Sequence, residues 1–265
     1  MATVPPATFP AGSPFRWSSA SATHPGRVRQ INEDACFEAP ERGLWAIADG
    51  MGGHTLGDFA SQAIIDALAR VPAAGTLAEA LRNTRQGLQA VNHQLRREAA
   101  SRAVQVIGST VAVLLARGGQ CACLWAGDSR IYLYRRGQLT RLTRDHSQVE
   151  KMQSLGLLDA GEAASHPLRH LITRAVGAAD HLDVDETILA VEDGDLFLLC
   201  SDGLNNEVGD DRIGAALAPG QCRQAADLLV GMALRQGGRD NISVIVARAD
   251  VPLHTDGTLL NPEFL

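Results

Sequence analysis

Four aspartates in this sequence stand where an apolar run gives way to small residues. They are Asp49 in Leu44–Trp45–Ala46–Ile47–Ala48–Asp49–Gly50–Met51–Gly52–Gly53–His54, Asp128 in Gly127–Asp128–Ser129–Arg130, Asp202 in Ser201–Asp202–Gly203 and Asp240 in Asp240–Asn241–Ile242–Ser243. A single Asp–Gly pair is usually a turn. Four aspartates at the ends of strand-like runs are stronger, because rigid elements would bring their carboxylates to one edge of a sheet core. No His or Cys stands beside the key positions, so the donor set is all oxygen and suits Mg²⁺ or Mn²⁺ rather than Zn²⁺. Several carboxylates at one site would hold two ions roughly 3.5–4 Å apart, activating water and clamping an in-line displacement at phosphorus. Arg29 adds what metals lack, a planar fork for two phosphate oxygens.

The elements that must position these groups follow from the hydrophobic period. Short strands are expected at 15–23 and 35–38, then the central strand from Leu44. Ala60, Ile64, Ala67, Leu68 and Val71 recur at helical spacing up to Pro72. Thr76 and Glu79 form a capping-box signature ahead of a long amphipathic helix carrying Leu77, Leu81, Leu88, Val91 and Leu95. From Ser109 the period becomes that of strands: 110–116 and 120–126 as a hairpin, 131–135 and 138–142 about Gly137, and 182–191 and 196–200 about Asp193–Gly194. Helices are expected at 213–217 and 222–234, and a last strand at 242–247. This order predicts two layers of mainly antiparallel sheet covered by helices, an α+β domain over 15–250. Residues 145–170 break the strand pattern and read as a flap or lid, in which Asp145 and His146 could cap a short helix ending at Leu155. Residues 1–14 read as a flexible leader and 251–265 as a tail.

Composition excludes several functions. The net charge of −6 gives no reason to expect nucleic-acid or anionic-membrane binding. Lys151 is the single lysine among 24 basic residues and lacks the glycine-rich run of a phosphate loop. Five cysteines, four of them in apolar runs, read as reduced core residues of a cytoplasmic protein, with Cys121 and Cys123 on one strand face. The start is no signal peptide and no apolar run approaches membrane-spanning length. His166 and His170 have helical zinc-pair spacing, but Pro167 lies between them and no third ligand is near in sequence.

Arg29-x-x-x-Glu33–Asp34, Asp49–Gly50–Met51–Gly52–Gly53–His54, Gly127–Asp128–Ser129–Arg130, Ser201–Asp202–Gly203–Leu204 and Asp240–Asn241–Ile242–Ser243 occur in that order. Together they resemble the bacterial branch of the PP2C (PPM) family of metal-dependent serine/threonine phosphatases, from about Ser18 to Ala249. Thr143–Arg144–Asp145–His146–Ser147, Gly156, His166–Pro167 and Ala175–Val176–Gly177 are similar to the flap of bacterial members. The resemblance implies an αββα sandwich with a dinuclear Mn²⁺/Mg²⁺ centre in a cleft between the sheets. It implies that Asp49 bridges both ions, that the Gly50 carbonyl binds one, and that Asp202 and Asp240 complete the other. Glu33 would act through bound water, Asp34 would orient waters, and Arg29 would hold the substrate phosphate. Asp128 with Asp202 would carry a third, weaker ion. Water activated at the metals would attack phosphorus directly, without a phosphoenzyme.

One position departs from the family. Eukaryotic members carry a histidine two residues after the bridging aspartate, proposed as the acid for the leaving alcohol, where this chain has Met51. His54 reads as a helix-start or packing residue and does not replace it. The expected function is hydrolysis of phosphoserine or phosphothreonine in proteins modified by a cognate kinase, by a monomer. The alternative is a catalytically silent relative that binds phosphoproteins or senses metal.

Overall fold

A computed structural model describes residues 13–51 and 56–252. The leader and tail expected at the ends lie largely outside the described residues, as does His54. The chain runs β1 (Arg16–His24), β2 (Asp34–Ala39), β3 (Leu44–Met51), α1 (Leu56–Ala69), α2 (Leu77–Ser101), β4 (Gly108–Ser109), β5 (Val111–Arg117), β6 (Gln120–Ala126), β7 (Arg130–Arg135) and β8 (Gln138–Arg141). It continues through α3 (Gln148–Ser154), α4 (Ala160–Ser165), β9 (Asp185–Ala190), β10 (Leu196–Cys200), α5 (Asp202–Asn205), α6 (Asp210–Leu217), α7 (Cys222–Gln236) and β11 (Ile242–Asp250). One sheet has the order β1-β11-β10-β7-β8 and the other β2-β3-β5-β6-β9, with β4 paired to β3. The ladders are antiparallel, as the short connections and strand alternation predict.

Each strand's period of two divides its side chains between two cores. In β3, Leu44, Ala46 and Ala48 pack toward α1 and α2, while Trp45 and Ile47 face the opposite sheet. In β10, Leu196, Leu198 and Cys200 pack toward α6 and α7, while Phe197 and Leu199 face inward. Trp17 and Trp45 meet between the sheets with ring centroids 4.8 Å apart, and both are essentially fully buried. This is the αββα sandwich expected from the sequence. Cys121 and Cys123 share the inter-sheet face, and burial pushes the Cys123 thiol up to about 12, the chemistry of an inert core residue.

Three local readings are corrected. Segments 182–191 and 196–200 are not a hairpin, since β9 pairs with β6 in one sheet and β10 with β7 and β11 in the other. The turn at Asp193–Gly194 therefore passes between sheets. The flap holds a second helix, α4, set by a capping box of Asp159 and Glu162 and too short to show apolar periodicity in the sequence. The cap of α3 is Ser147, which accepts from Glu150 N–H at 3.2 Å, not Asp145 or His146.

Candidate metal centre

The alternation of the strands carries directly into the site. Asp49 follows Trp45 and Ile47 on the inter-sheet face of β3, and its cross-strand partner in β2 is Asp34. Two carboxylates opposed across a ladder repel each other, which a sheet without a function there would avoid. Asp128 lies between β6 and β7, where the chain leaves one sheet for the other, so it turns no hairpin. Asp202 opens α5 at the end of β10, and Asp240 stands two residues before β11. The acids thus gather at one end of the sandwich, contributed by both sheets rather than by one sheet edge.

Two small side chains missed as functional in the sequence hold this arrangement. The Asn241 amide donates to the carbonyls of Pro25 (3.0 Å) and Ile31 (2.9 Å) and accepts from Glu33 N–H (2.7 Å). It therefore staples the loop carrying Arg29 and Glu33 onto the start of β11. Ser201 donates to Asp34 Oδ2 at 2.8 Å and accepts from Ser243 N–H at 3.0 Å. Asp49 N–H donates to Thr110 Oγ1 at 3.1 Å, and Thr110 also shares a hydrogen bond with Ser129. The family-like motifs contained Asn241, Ser201 and Ser243. Only their tertiary partners reveal what they do.

Glycine at 50 and 57 is required by close approach. A Cβ on Gly50 would meet the Gly57 carbonyl oxygen at 1.9 Å. A Cβ on Gly57 would lie 2.4 Å from Glu33 Oε1 and 2.9 Å from the Gly50 carbonyl oxygen. Glu33 Oε1 and the Gly50 carbonyl thus converge on one point at the start of α1, where bare backbone leaves them room.

Burial and mutual charge raise the acids' proton affinity. Asp49 is pushed well above the usual carboxylate range, first by burial and then by Asp34, Asp202, Asp128 and Asp240. Burial raises Asp34 to about 7 against the hydroxyls of Ser243 and Ser201. Burial, then Asp202 and Asp145, raises Asp128 to about 8, and burial with Asp240 raises Asp202 to about 6. Asp34 Oδ1 is buried without a hydrogen-bond partner. Arg29 sits across this cluster, its Nη2 donating to Asp240 Oδ2 at 2.8 Å, and that hydrogen bond and charge hold the guanidinium more firmly protonated.

These features fit divalent cations. Acids that raise one another's proton affinity, an orphaned carboxylate oxygen and a backbone carbonyl beside Glu33 form a hard-oxygen donor set. Among the described residues no three His, Cys, Asp or Glu side chains stand in a ready-made coordination cage. Asp128, Asp202, Asp240 and Arg29 line a cleft of about 820 Å³, roofed by Arg141, Asp145 and Glu150 at the flap root and by Arg169 and His170 farther along it. Met51, at the end of β3, offers no proton to a leaving group.

The family model described as Protein phosphatase 2C matches residues 23–227. Serine/threonine protein phosphatase PstP of Mycobacterium tuberculosis is 38% identical over 232 residues, covering 86% of this chain and 44% of PstP, so the chain spans less than half of that relative. PppA, described as a key regulatory component of T6SS in Pseudomonas aeruginosa, matches with a TM-score of 0.83 at 45% identity, over 88% of this chain and 97% of that one. A catalytic domain of PstP in complex with two manganese ions matches with a TM-score of 0.78 at 35% identity, over 88% and 98% of the two chains. With a family model spanning well over half its length and solved relatives of the same fold, this chain belongs to the protein phosphatase 2C family.

Proposed function

We propose that this chain is a metal-dependent protein phosphatase that hydrolyses phosphoserine and phosphothreonine in proteins. The observation that carries the reading is the buried, mutually repelling set of Asp34, Asp49, Asp128 and Asp202, faced by Asp240 and Arg29 at the floor of an open cleft. A silent phosphoprotein binder has no need to bury a complete set of carboxylates at such electrostatic cost.

Asp49, the Gly50 carbonyl, Asp202 and Asp240 would hold two Mn²⁺ or Mg²⁺ ions, with Glu33 acting through water. Asp128 and Asp202 would hold a third. When bound, the ions activate water and neutralise charge at the phosphoryl group. Arg29 binds and orients two phosphate oxygens, and its release from Asp240 frees the fork for that purpose. Asp34, fixed through Oδ2 by Ser201, would use its buried, unpartnered Oδ1 to orient water held at the ions. Asn241 holds the Arg29 loop at the right distance.

The flap, residues 145–170, is read as the surface that selects the protein substrate. Leu155, Leu157 and Leu168 within it and Leu171 at its exit are exposed, which suits contact with a polypeptide. Substrates would be products of a cognate Ser/Thr kinase. The chain is read as a monomer, and work in the cytoplasm fits the free cysteines among the described residues. The acidic charge argues against nucleic-acid or membrane partners. No described helix is long and apolar enough to cross a membrane.

Phosphate release from a phosphothreonine peptide and from p-nitrophenyl phosphate tests the reading. Both reactions should require Mn²⁺ or Mg²⁺ and stop in EDTA. Strong turnover in metal-free buffer would refute the metal mechanism, and metal binding without turnover would favour the silent relative.

A further inference from the structure

Asp145 and His146, consecutive at the flap root, take no part in holding phosphate or ion as read above, yet they are among the most tightly held groups beside the cleft. Asp145 accepts from Arg130 Nε at 3.0 and 3.1 Å and from Nη2 at 2.6 Å, in a pair whose side chains are 10% and 20% exposed. His146 meets Gly127 twice: its N–H donates to the Gly127 carbonyl at 2.9 Å, and its Nδ1 accepts from the Gly127 N–H at 3.1 Å. Residues 127 and 130 flank Asp128–Ser129. Gly127 has φ +112°, and a Cβ there would lie 2.6 Å from Thr110 Cβ, so the turn is seated directly against the residue that bonds Asp49 N–H.

The imidazole is fixed on its other sides as well. It stacks on Trp125 with centroids 6.1 Å apart and planes 13° from parallel. Nε2 lies 3.2 Å from Asp185 Oδ2 and 3.1 Å from Arg174 Nη1. Because Nδ1 accepts, the neutral ring carries its hydrogen on Nε2 and donates it to Asp185, to which Arg174 also donates. Thr173 N–H donates to the His146 carbonyl at 2.7 Å, so this residue also ties the flap's exit to its entry. Burial holds His146 below the ordinary histidine range against the pull of Asp185, which keeps Nδ1 an acceptor at neutral pH.

We propose that Asp145 and His146 are positioning residues that bracket Asp128 from both sides and make the place of its carboxylate depend on how the flap root is seated. The inference rests on Asp128 as an ion ligand, and it couples the surface that meets the protein substrate to the third ion's site.

Three variants at 146 test it. His146→Asn keeps an acceptor near the Nδ1 position, His146→Gln moves the amide outward toward the Nε2 position, and His146→Ala removes both. Amide exchange at Gly127, read by NMR in metal-free protein, should accelerate at least tenfold in the Ala and Gln variants and return toward wild type in Asn. The Mn²⁺ concentration for half-maximal p-nitrophenyl phosphate turnover should rise several-fold in Ala and Gln, with KM for the phosphoester unchanged. Should the Ala variant fail to fold, the Asn and Gln pair carries the comparison. Equal Gly127 exchange in all variants, or Asn no better than Gln, overturns the proposal. Asp128→Asn, measured alongside, separates the two readings. If it leaves the Mn²⁺ response unchanged, Asp128 is no ion ligand, and amide exchange still decides whether His146 holds the turn. If it weakens the response while Ala and Gln do not, the coupling is refuted.

Discussion

Arg29 and Asp240 form an ion pair whose side chains are 52% and 37% exposed, so the pair adds about 0–1 kcal/mol to stability. The value of the guanidinium lies instead in binding phosphate, in ground and transition state alike. Arg29→Ala should therefore raise KM for p-nitrophenyl phosphate about tenfold to a hundredfold, from roughly 1.5–3 kcal/mol for hydrogen bonds to a charged group, with a smaller change in kcat. An unchanged KM, measured at saturating Mn²⁺, would show that Arg29 does not touch the phosphate. The buried acids make a different prediction, about pH. Asp202, Asp34 and Asp128 are raised to about 6, 7 and 8 in the fold, first by burial and then by neighbouring carboxylates, Asp240 and Asp202 chief among them. In the unfolded chain such groups titrate near 3.9. Their contribution to stability is fully present below about pH 4 and is lost as pH rises through 6 to 8, because the fold must release protons it holds more tightly than the unfolded chain does. In EDTA, Tm should fall between pH 5 and pH 8.5, and saturating Mn²⁺ should remove most of that fall. A flat or rising Tm in EDTA would contradict the mutual repulsion.

At the scale of elements, the site depends on short connections that propensity does not specify. The strand ends were legible in the sequence because an apolar run stopping at Asp is a local pattern, and β3, β5, β6, β10 and β11 fell close to where the alternation placed them. The partition of 182–200 between two sheets was not legible, since a turn with Gly194 looks the same within a sheet as between two. Nor was the role of Asn241, whose partners lie more than 200 residues away in sequence. Asn241→Ala leaves Glu33 N–H and the carbonyls of Pro25 and Ile31 to water, and because these groups are only partly buried it should cost about 1–3 kcal/mol in all. It should also raise KM for small phosphoesters, as the Arg29 loop loosens. Urea unfolding and steady-state kinetics on one preparation check both effects, and a variant with full stability and unchanged KM would deny the staple. The flap is a second element with a separable role. Replacing exposed Leu157, Leu168 and Leu171 with Ser should change phosphopeptide turnover severalfold and p-nitrophenyl phosphate turnover little. Equal effects on both substrates would place those side chains in the chemistry instead.

For the whole molecule, two sheets with one core between them and one core outside each form a rigid frame. The frame can hold like charges together that would separate if they were free to move. Metal relieves that repulsion and binds the folded state, adding about 2.7 kcal/mol when free metal exceeds Kd a hundredfold. In a chain of this size that is roughly a 5–10 °C rise in Tm. Asp202→Asn deletes one charge of the cluster while nearly keeping its shape. The most direct measurement is a set of four melting curves at pH 8, wild type and Asp202→Asn, each in EDTA and in excess Mn²⁺. Wild type should gain several degrees from Mn²⁺. The variant should melt above wild type in EDTA, gain less from Mn²⁺ and show almost no phosphatase activity, as expected where a catalytic site is held at the expense of stability. A wild type indifferent to Mn²⁺, together with a variant that melts lower without it, would show that these carboxylates do not form one cation-requiring centre.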